Sequence, residues 1–147
     1  MLTATASLTK QEVEKLAADW YHKLDVHAPL VELLPMVAED AEMKFPEATL
    51  HGLAEFEGWY ERVIRIFFDE VHTLKQVNVD LKDEVANVKV VVHWEASVWN
   101  GPAAKSQRIK LDAYQTWVVK RSPFSGAPVI ASYTVDRLDY AADSAKL

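Results

Sequence analysis

The clearest pattern in the chain is an alternation of apolar and polar positions between Val85 and Trp117. Successive side chains on a strand point to opposite faces. From Val85 to Trp99, one face collects Val88, Val90, Val92, Trp94, Ala96 and Val98. The other collects Lys89, Val91, His93, Glu95, Ser97 and Trp99. β-Branched and aromatic residues dominate, which suits a strand. Asn100-Gly101-Pro102 predicts a turn, wider than a two-residue hairpin because of the proline. The return strand, Arg108 to Val119, puts Ile109, Leu111, Ala113, Gln115, Trp117 and Val119 on one face and Arg108, Lys110, Asp112, Tyr114, Thr116 and Val118 on the other. Neither face is purely polar, so both are expected to be at least partly covered.

The flanking segments read as helices and further strands. Thr9-Lys10-Gln11-Glu12 has the form of a capping box. It opens a helix to about Val26, with Val13, Leu16, Ala17, Trp20 and Leu24 at helical spacing. Pro29 suits the first turn of a second, short helix from Leu30 to about Leu34. Ala38-Glu39-Asp40 reads as a turn and Ala41–Phe45 as a short strand. A third helix is expected from Leu53 to about Glu70, its apolar arc widened by Trp59, Ile66 and Phe68 so that it is expected to be nearly surrounded. Val71–Leu81 and Val129–Leu138 complete the strands, the latter after a loop from Lys120 to Pro128. The expected organisation is a flexible tail over residues 1–8, one domain over 9–140 and a C-terminal tail over 141–147.

A chain of 147 residues suggests a single domain. With a formal net charge of -6 and no basic stripe, it is not expected to bind nucleic acid. No apolar run approaches the ~20 residues of a membrane span. Cysteine is absent, so disulfides, thiolate metal sites and a cysteine nucleophile are excluded. The first residues lack the charged and apolar regions of a signal peptide, which makes a cytoplasmic location the expectation. Four glycines and no phosphate-binding loop give no support to nucleotide chemistry. No HxH or HxxxH spacing points to a metal, and no cofactor is expected.

Three local patterns carry a resemblance. Trp20 is an inward aromatic on the first helix. Glu39-Asp40-Ala41 through Phe45-Pro46 and Gly52 precede the long helix. Val129 to Asp136 forms the last strand. In this order the chain resembles the nuclear transport factor 2-like superfamily, and within it the SnoaL-like and ketosteroid-isomerase-like proteins. The resemblance spans residues 9 to 140. It implies an α+β, cystatin-like cone: a curved antiparallel sheet wrapped around three helices of the N-terminal half, with a pocket at the open end. It also implies a homodimer through the outer face of the sheet. The isomerase's hydrogen-bonding tyrosine matches Trp20, its general-base aspartate matches Phe45, and its protonated aspartate matches Asp112. The resemblance therefore implies a similar pocket with different chemistry, because neither an indole nor a phenyl ring carries out those proton transfers.

If the His93 face lines that pocket, His93 is the candidate proton carrier, with Asp112 and Glu95 orienting it. The candidate pocket wall is Trp20, Met43, Phe45, Trp59, Tyr60, Tyr114, Tyr133 and Val135. The competing reading places this face outside, where His93, Glu95, Arg108 and Lys110 form cross-strand polar pairs. Lys89, costly to bury, shares its parity. His72 reads as a histidine at the end of the long helix, and His51 as a turn residue. The expected function is to bind a small hydrophobic molecule and convert it by cofactor-independent acid–base chemistry of isomerase, dehydratase, cyclase or hydrolase type. The alternative is a non-catalytic ligand-binding or dimeric assembly module.

Overall fold

The computed structural model describes residues 7–147. The chain folds in the order α1 (Lys10–Asp25), α2 (Leu30–Leu33), a single 3-10 turn (Leu34–Met36), β1 (Val37–Lys44), β2 (Thr49–His51), α3 (Gly52–Ile66), β3 (Phe67–Lys82), β4 (Val85–Val98), β5 (Gln107–Arg121) and β6 (Pro128–Tyr140). The strands form one six-stranded sheet in the order β2-β1-β6-β5-β4-β3.

The capping box at the start of α1 forms as its sequence predicts: Thr9 Oγ1 accepts from the Glu12 N–H, and Glu12 Oε1 accepts from the Thr9 N–H. Arg121 at the end of β5 donates to both oxygens of Glu12, at 2.7 and 3.0 Å, and so ties the helix start to the sheet. Val13, Leu16, Ala17, Trp20 and Leu24 are all buried. They face the concave side of the sheet, where Val88, Val90, Val92 and Ala96 of β4 and Ile109, Leu111, Ala113 and Trp117 of β5 are buried too. Trp20 is packed among Phe56, Trp117 and Tyr133, with ring centroids 5.8, 6.4 and 5.9 Å away. Removing this much apolar surface from water is the main force holding helices to sheet.

The sheet bends where its ladders slip. β3 breaks register with β4 between Phe68 and Val71 and again between Leu74 and Gln76. β6 slips against β5 at two points as well. Such bulges bend the strand and increase its twist. At the first β3 slip, Asp69 takes φ 50.

Several sequence expectations are corrected here. The sheet is mixed, because β1 runs parallel to β6 while every other pair is antiparallel. β1 begins at Val37 and passes through the expected turn at Ala38-Glu39-Asp40, with an irregularity between Val37 and Glu42 absorbing the bend. Thr49–His51 is a further strand, too short to show a period. The long helix stops at Ile66, and Phe67 already pairs with Val98. Phe67, Phe68 and Val71 fit a helical repeat and a strand almost equally well, and pairing along the edge of β4 decides between them. Nor is α3 surrounded. Within it only Phe56 and Tyr60 are fully buried, whereas Ile66 is 41% exposed.

The N-terminal tail expected over residues 1–8 lies outside the described residues as far as residue 6. Leu8 is buried, and the Ser7 carbonyl accepts from Arg121. Residues 141–147 run back along β5: the N–H groups of Ala141 and Ala145 donate to the carbonyls of Lys110 and Arg108. No helix among the described residues is long and apolar enough to cross a membrane.

Candidate functional site

Between the concave face, α1 and α3 lies a cavity of about 120 Å³. An apolar cavity of roughly 150 Å³ holds a benzene ring, so there is room for about one ring. The wall is mostly apolar: Leu24, Phe45, Trp59, Phe67, Val92, Trp94, Leu111, Val135 and Leu138 contribute to it. Phe45 from the end of β1 stacks on Trp59 of α3 at 4.2 Å. Few polar groups enter this wall: Glu47, Tyr60, Glu70, His72, Gln115 and Tyr133.

Of these, His72 is the best placed for chemistry. It sits on β3 opposite Trp94 of β4, and its ring lies between Tyr21 (4.9 Å) and Trp94 (6.0 Å). Its Nδ1 is 2.5 Å from Oδ1 of Asp25, and Asp25 Oδ2 accepts the backbone N–H of His72 at 2.9 Å. The carboxylate thus grips both ring and backbone. A carboxylate accepting from Nδ1–H fixes the tautomer that leaves Nε2 basic. Nε2 has no hydrogen-bond partner among the described residues. The His72 and Asp25 side chains are 10% and 20% exposed.

Glu70, two residues earlier on β3, lines the same cavity. Its Oε2 lies 2.5 Å from His27 Nε2, and its Oε1 accepts from the Trp94 indole at 3.1 Å. Tyr60 donates to the Ala28 carbonyl at 2.6 Å. Burial first, then the charges of Glu70 and Glu32, push its phenol up to about 12. Gln115 Oε1 accepts from Tyr21 at 2.6 Å and from Trp117 at 3.0 Å, which fixes the floor of the cavity. Burial pushes the phenols of Tyr21 and Tyr133 up, so both stay protonated donors across the physiological range.

The sequence-predicted residues divide between two faces. Phe45, Trp59, Tyr60, Tyr133 and Val135 line the cavity. Trp20 and Met43 do not: they are buried in the core beneath it. His93, Asp112 and Glu95 do meet, with Nδ1 2.7 Å from Asp112 and Nε2 2.9 Å from Glu95. They meet on the convex face, however. Val92 and Trp94 point into the cavity, so the alternation of β4 carries His93 and Glu95 away from it. The trio expected to carry the chemistry, and Tyr114, expected in the pocket wall, therefore lie outside this cavity. Tyr114 lies under Arg137, whose guanidinium carbon is 4.0 Å from its ring centre. The outer network extends to Lys75, 2.9 Å from Asp112, and Arg108, 3.5 Å from Glu95.

Sequence reasoning missed Asp25, His27, Glu70 and Gln115. One signal was available. Asp25 is the last residue of α1, where the negative end of the helix disfavours a carboxylate. Glu70 and His72 also sit two apart, but the segment read as helix, and helical spacing sends positions i and i+2 to different faces.

No protein-family model matches the chain, and no curated protein matches it in sequence. Solved structures do match. The chain has the nuclear transport factor 2-like, cystatin-like fold. It is similar to a proposed aromatic ring hydroxylase from Novosphingobium aromaticivorans, at 17% identity over 92% of this chain and 95% of that one, with a TM-score of 0.76. It is similar to a proposed scytalone dehydratase from the same organism, at 18% identity over 93% and 88%, TM-score 0.69. It is also similar to a hexachlorocyclohexane dehydrochlorinase, at 15% identity over 94% and 92%, TM-score 0.75. The fold is thus one that processes small molecules in several proteins; its site decides the chemistry.

Proposed function

We propose that this protein catalyses an elimination from a small, mostly apolar molecule, with His72 as the base that removes a proton from carbon. One observation carries the reading. A histidine in the wall of an apolar cavity has Nδ1 held by Asp25 and Nε2 without a partner among the described residues. A positioned base of this kind accelerates proton transfer by typically 10²–10⁴-fold. The mostly apolar wall lowers the local polarity around the dyad, which strengthens electrostatic contacts within it. Two of the similar structures bear the names of a dehydratase and a dehydrochlorinase, both elimination catalysts. Their names support the reaction class, while the dyad supports it on this chain's own residues. The chemistry of this base is acid–base chemistry that a histidine and a carboxylate can supply by themselves. A homodimer through the convex face belongs to the same proposal, and sedimentation velocity tests it.

The test is base-catalysed ring opening of nitrobenzisoxazole, a compact bicyclic compound whose reaction needs one base and reports by absorbance. Wild-type protein is expected to accelerate it with saturation, and His72→Gln to lose at least about 100-fold of kcat. Equal rates for the two proteins would remove His72 as the base.

A further inference from the structure

The Asp25–His72 pair has a counterpart of inverted order. Asp25 and His27 both border an outer cleft on the far side of the wall, alongside Arg108. His72 and Glu70 both border the cavity, and Glu70 reaches the cleft as well. Two hydrogen-bonded acid–base pairs therefore span one wall. In one, the carboxylate is outside and the imidazole inside; in the other, His27 is outside and the Glu70 carboxyl inside.

Resting on the elimination reading, we propose that Glu70 is the acid of the reaction, that His27 supplies its proton, and that the leaving group is a hydroxyl. The substrate class is then a β-hydroxy carbonyl compound with an apolar body of about one ring. Geometry favours this in three ways. Glu70 and His72 stand two positions apart on β3, and both side chains border the one cavity. The Glu70 side chain is only 9% exposed, and a carboxyl group so enclosed is held by named partners: His27 at 2.5 Å and the Trp94 indole at 3.1 Å. The backbone is strained on both sides of this pair, with His27 at φ 50 and Asp69, next to Glu70, at φ 50. Non-glycine residues held in this region are strained, and such residues cluster at functional sites.

The step balances without any co-reactant. His27 passes its proton to Glu70, giving neutral imidazole and carboxylic acid. Nε2 of His72 takes the proton from the carbon next to the carbonyl. The electron pair of that C–H bond forms the carbon–carbon double bond, and the C–O bond breaks. Glu70 gives its proton to the departing oxygen, and water leaves. The charged His72 then loses its proton to solvent, and His27 takes one up from the cleft. Glu70 touches the substrate and is the catalytic residue; His27 acts through it and is a positioning residue.

The experiment compares two probes: the β-hydroxy ketone formed from benzaldehyde and acetone, and its acetate ester. Both give benzylideneacetone, followed by absorbance, but acetate leaves without needing a proton. Glu70→Gln is expected to lower kcat for the hydroxy compound by about 100-fold and for the ester by less than 10-fold, as about one-tenth of that effect. Turnover of the ester also reports that the variant is folded. His27→Gln is expected to show the same preference for the ester more weakly, because His27 acts through Glu70. Equal losses on both probes, or a wild-type protein that eliminates acetate but not water, would overturn the role of Glu70 and leave the His72 reading standing. A wild-type protein inert towards both probes and towards nitrobenzisoxazole would overturn both.

Discussion

Asp25 at the last turn of α1 holds His72 on β3 by two bonds from one carboxylate, Oδ1 to the ring at 2.5 Å and Oδ2 to the backbone N–H at 2.9 Å. The helix end and the strand are thereby locked in the relation the site needs. Asp25→Asn keeps the shape but can present its NH₂ group to Nδ1, favouring the tautomer with the proton on Nε2. The expected outcome is a loss of about 100-fold or more in kcat for nitrobenzisoxazole opening, within the range for a misplaced base, with KM little changed. Stopped-time absorbance assays at fixed pH check it.

Trp20 is core and not cavity wall. It is fully buried among Phe56, Trp117 and Tyr133. Trp20→Ala is therefore expected to destabilise the fold by about 3–5 kcal/mol, the cost of deleting a buried aromatic side chain. Urea denaturation followed by circular dichroism measures it. A cost under 1 kcal/mol would mean that the indole borders open space.

Gln115 carries one oxygen shared by two buried donors, the Tyr21 hydroxyl and the Trp117 indole. Gln115→Leu fills similar space but leaves both donors unsatisfied. Each such group costs about 1–3 kcal/mol, so a loss of about 2–6 kcal/mol is expected in the same urea experiment. Gln115→Glu, which retains acceptor oxygens, is expected to be milder at pH below its carboxyl pKa.

The convex network should show in the pH dependence of stability. His93 is raised above its ordinary value by its hydrogen bonds to Glu95 and then Asp112. Glu95 is lowered by His93 first, and Asp112 by Lys75 first and then His93. A raised histidine stabilises the fold fully below its unfolded value of about 6.5, and that contribution is lost as pH rises through the folded value. The lowered carboxylates stabilise above about 4.3 and 3.9 and lose that contribution as pH falls through their folded values. The network is therefore strongest between about pH 4.5 and 6.5. These side chains are a quarter to a third exposed, so the contribution is small and screened by salt. Melting temperatures of wild type minus His93→Asn are expected to be positive in that window, to fall towards pH 8, and to shrink in high salt. A difference independent of pH would show that the network does not titrate with folding.

Local chemistry was enough for much of this protein. The capping box at Thr9 and Glu12, the amphipathic stripe of α1 and the alternation of β4 and β5 each depend on near neighbours, so the sequence by itself determined those elements and the α+β class. Alternation also guaranteed that His93 and Glu95 share a face, but not which face the helices cover. That depended on where α1 and α3 pack, and a strand carries the same period whichever side is buried. The end of α3, expected near Glu70, falls at Ile66 for a similar reason: Phe67 to Val71 satisfies two periods, and only the edge of β4 selects the strand. The site itself joins Asp25 and His27 to residues more than forty positions away, across a bulge at Asp69 that turns Glu70 and His72 toward the cavity. No pattern within either segment contains that meeting; the tertiary structure creates it by closing the end of α1 onto the edge strand of the sheet.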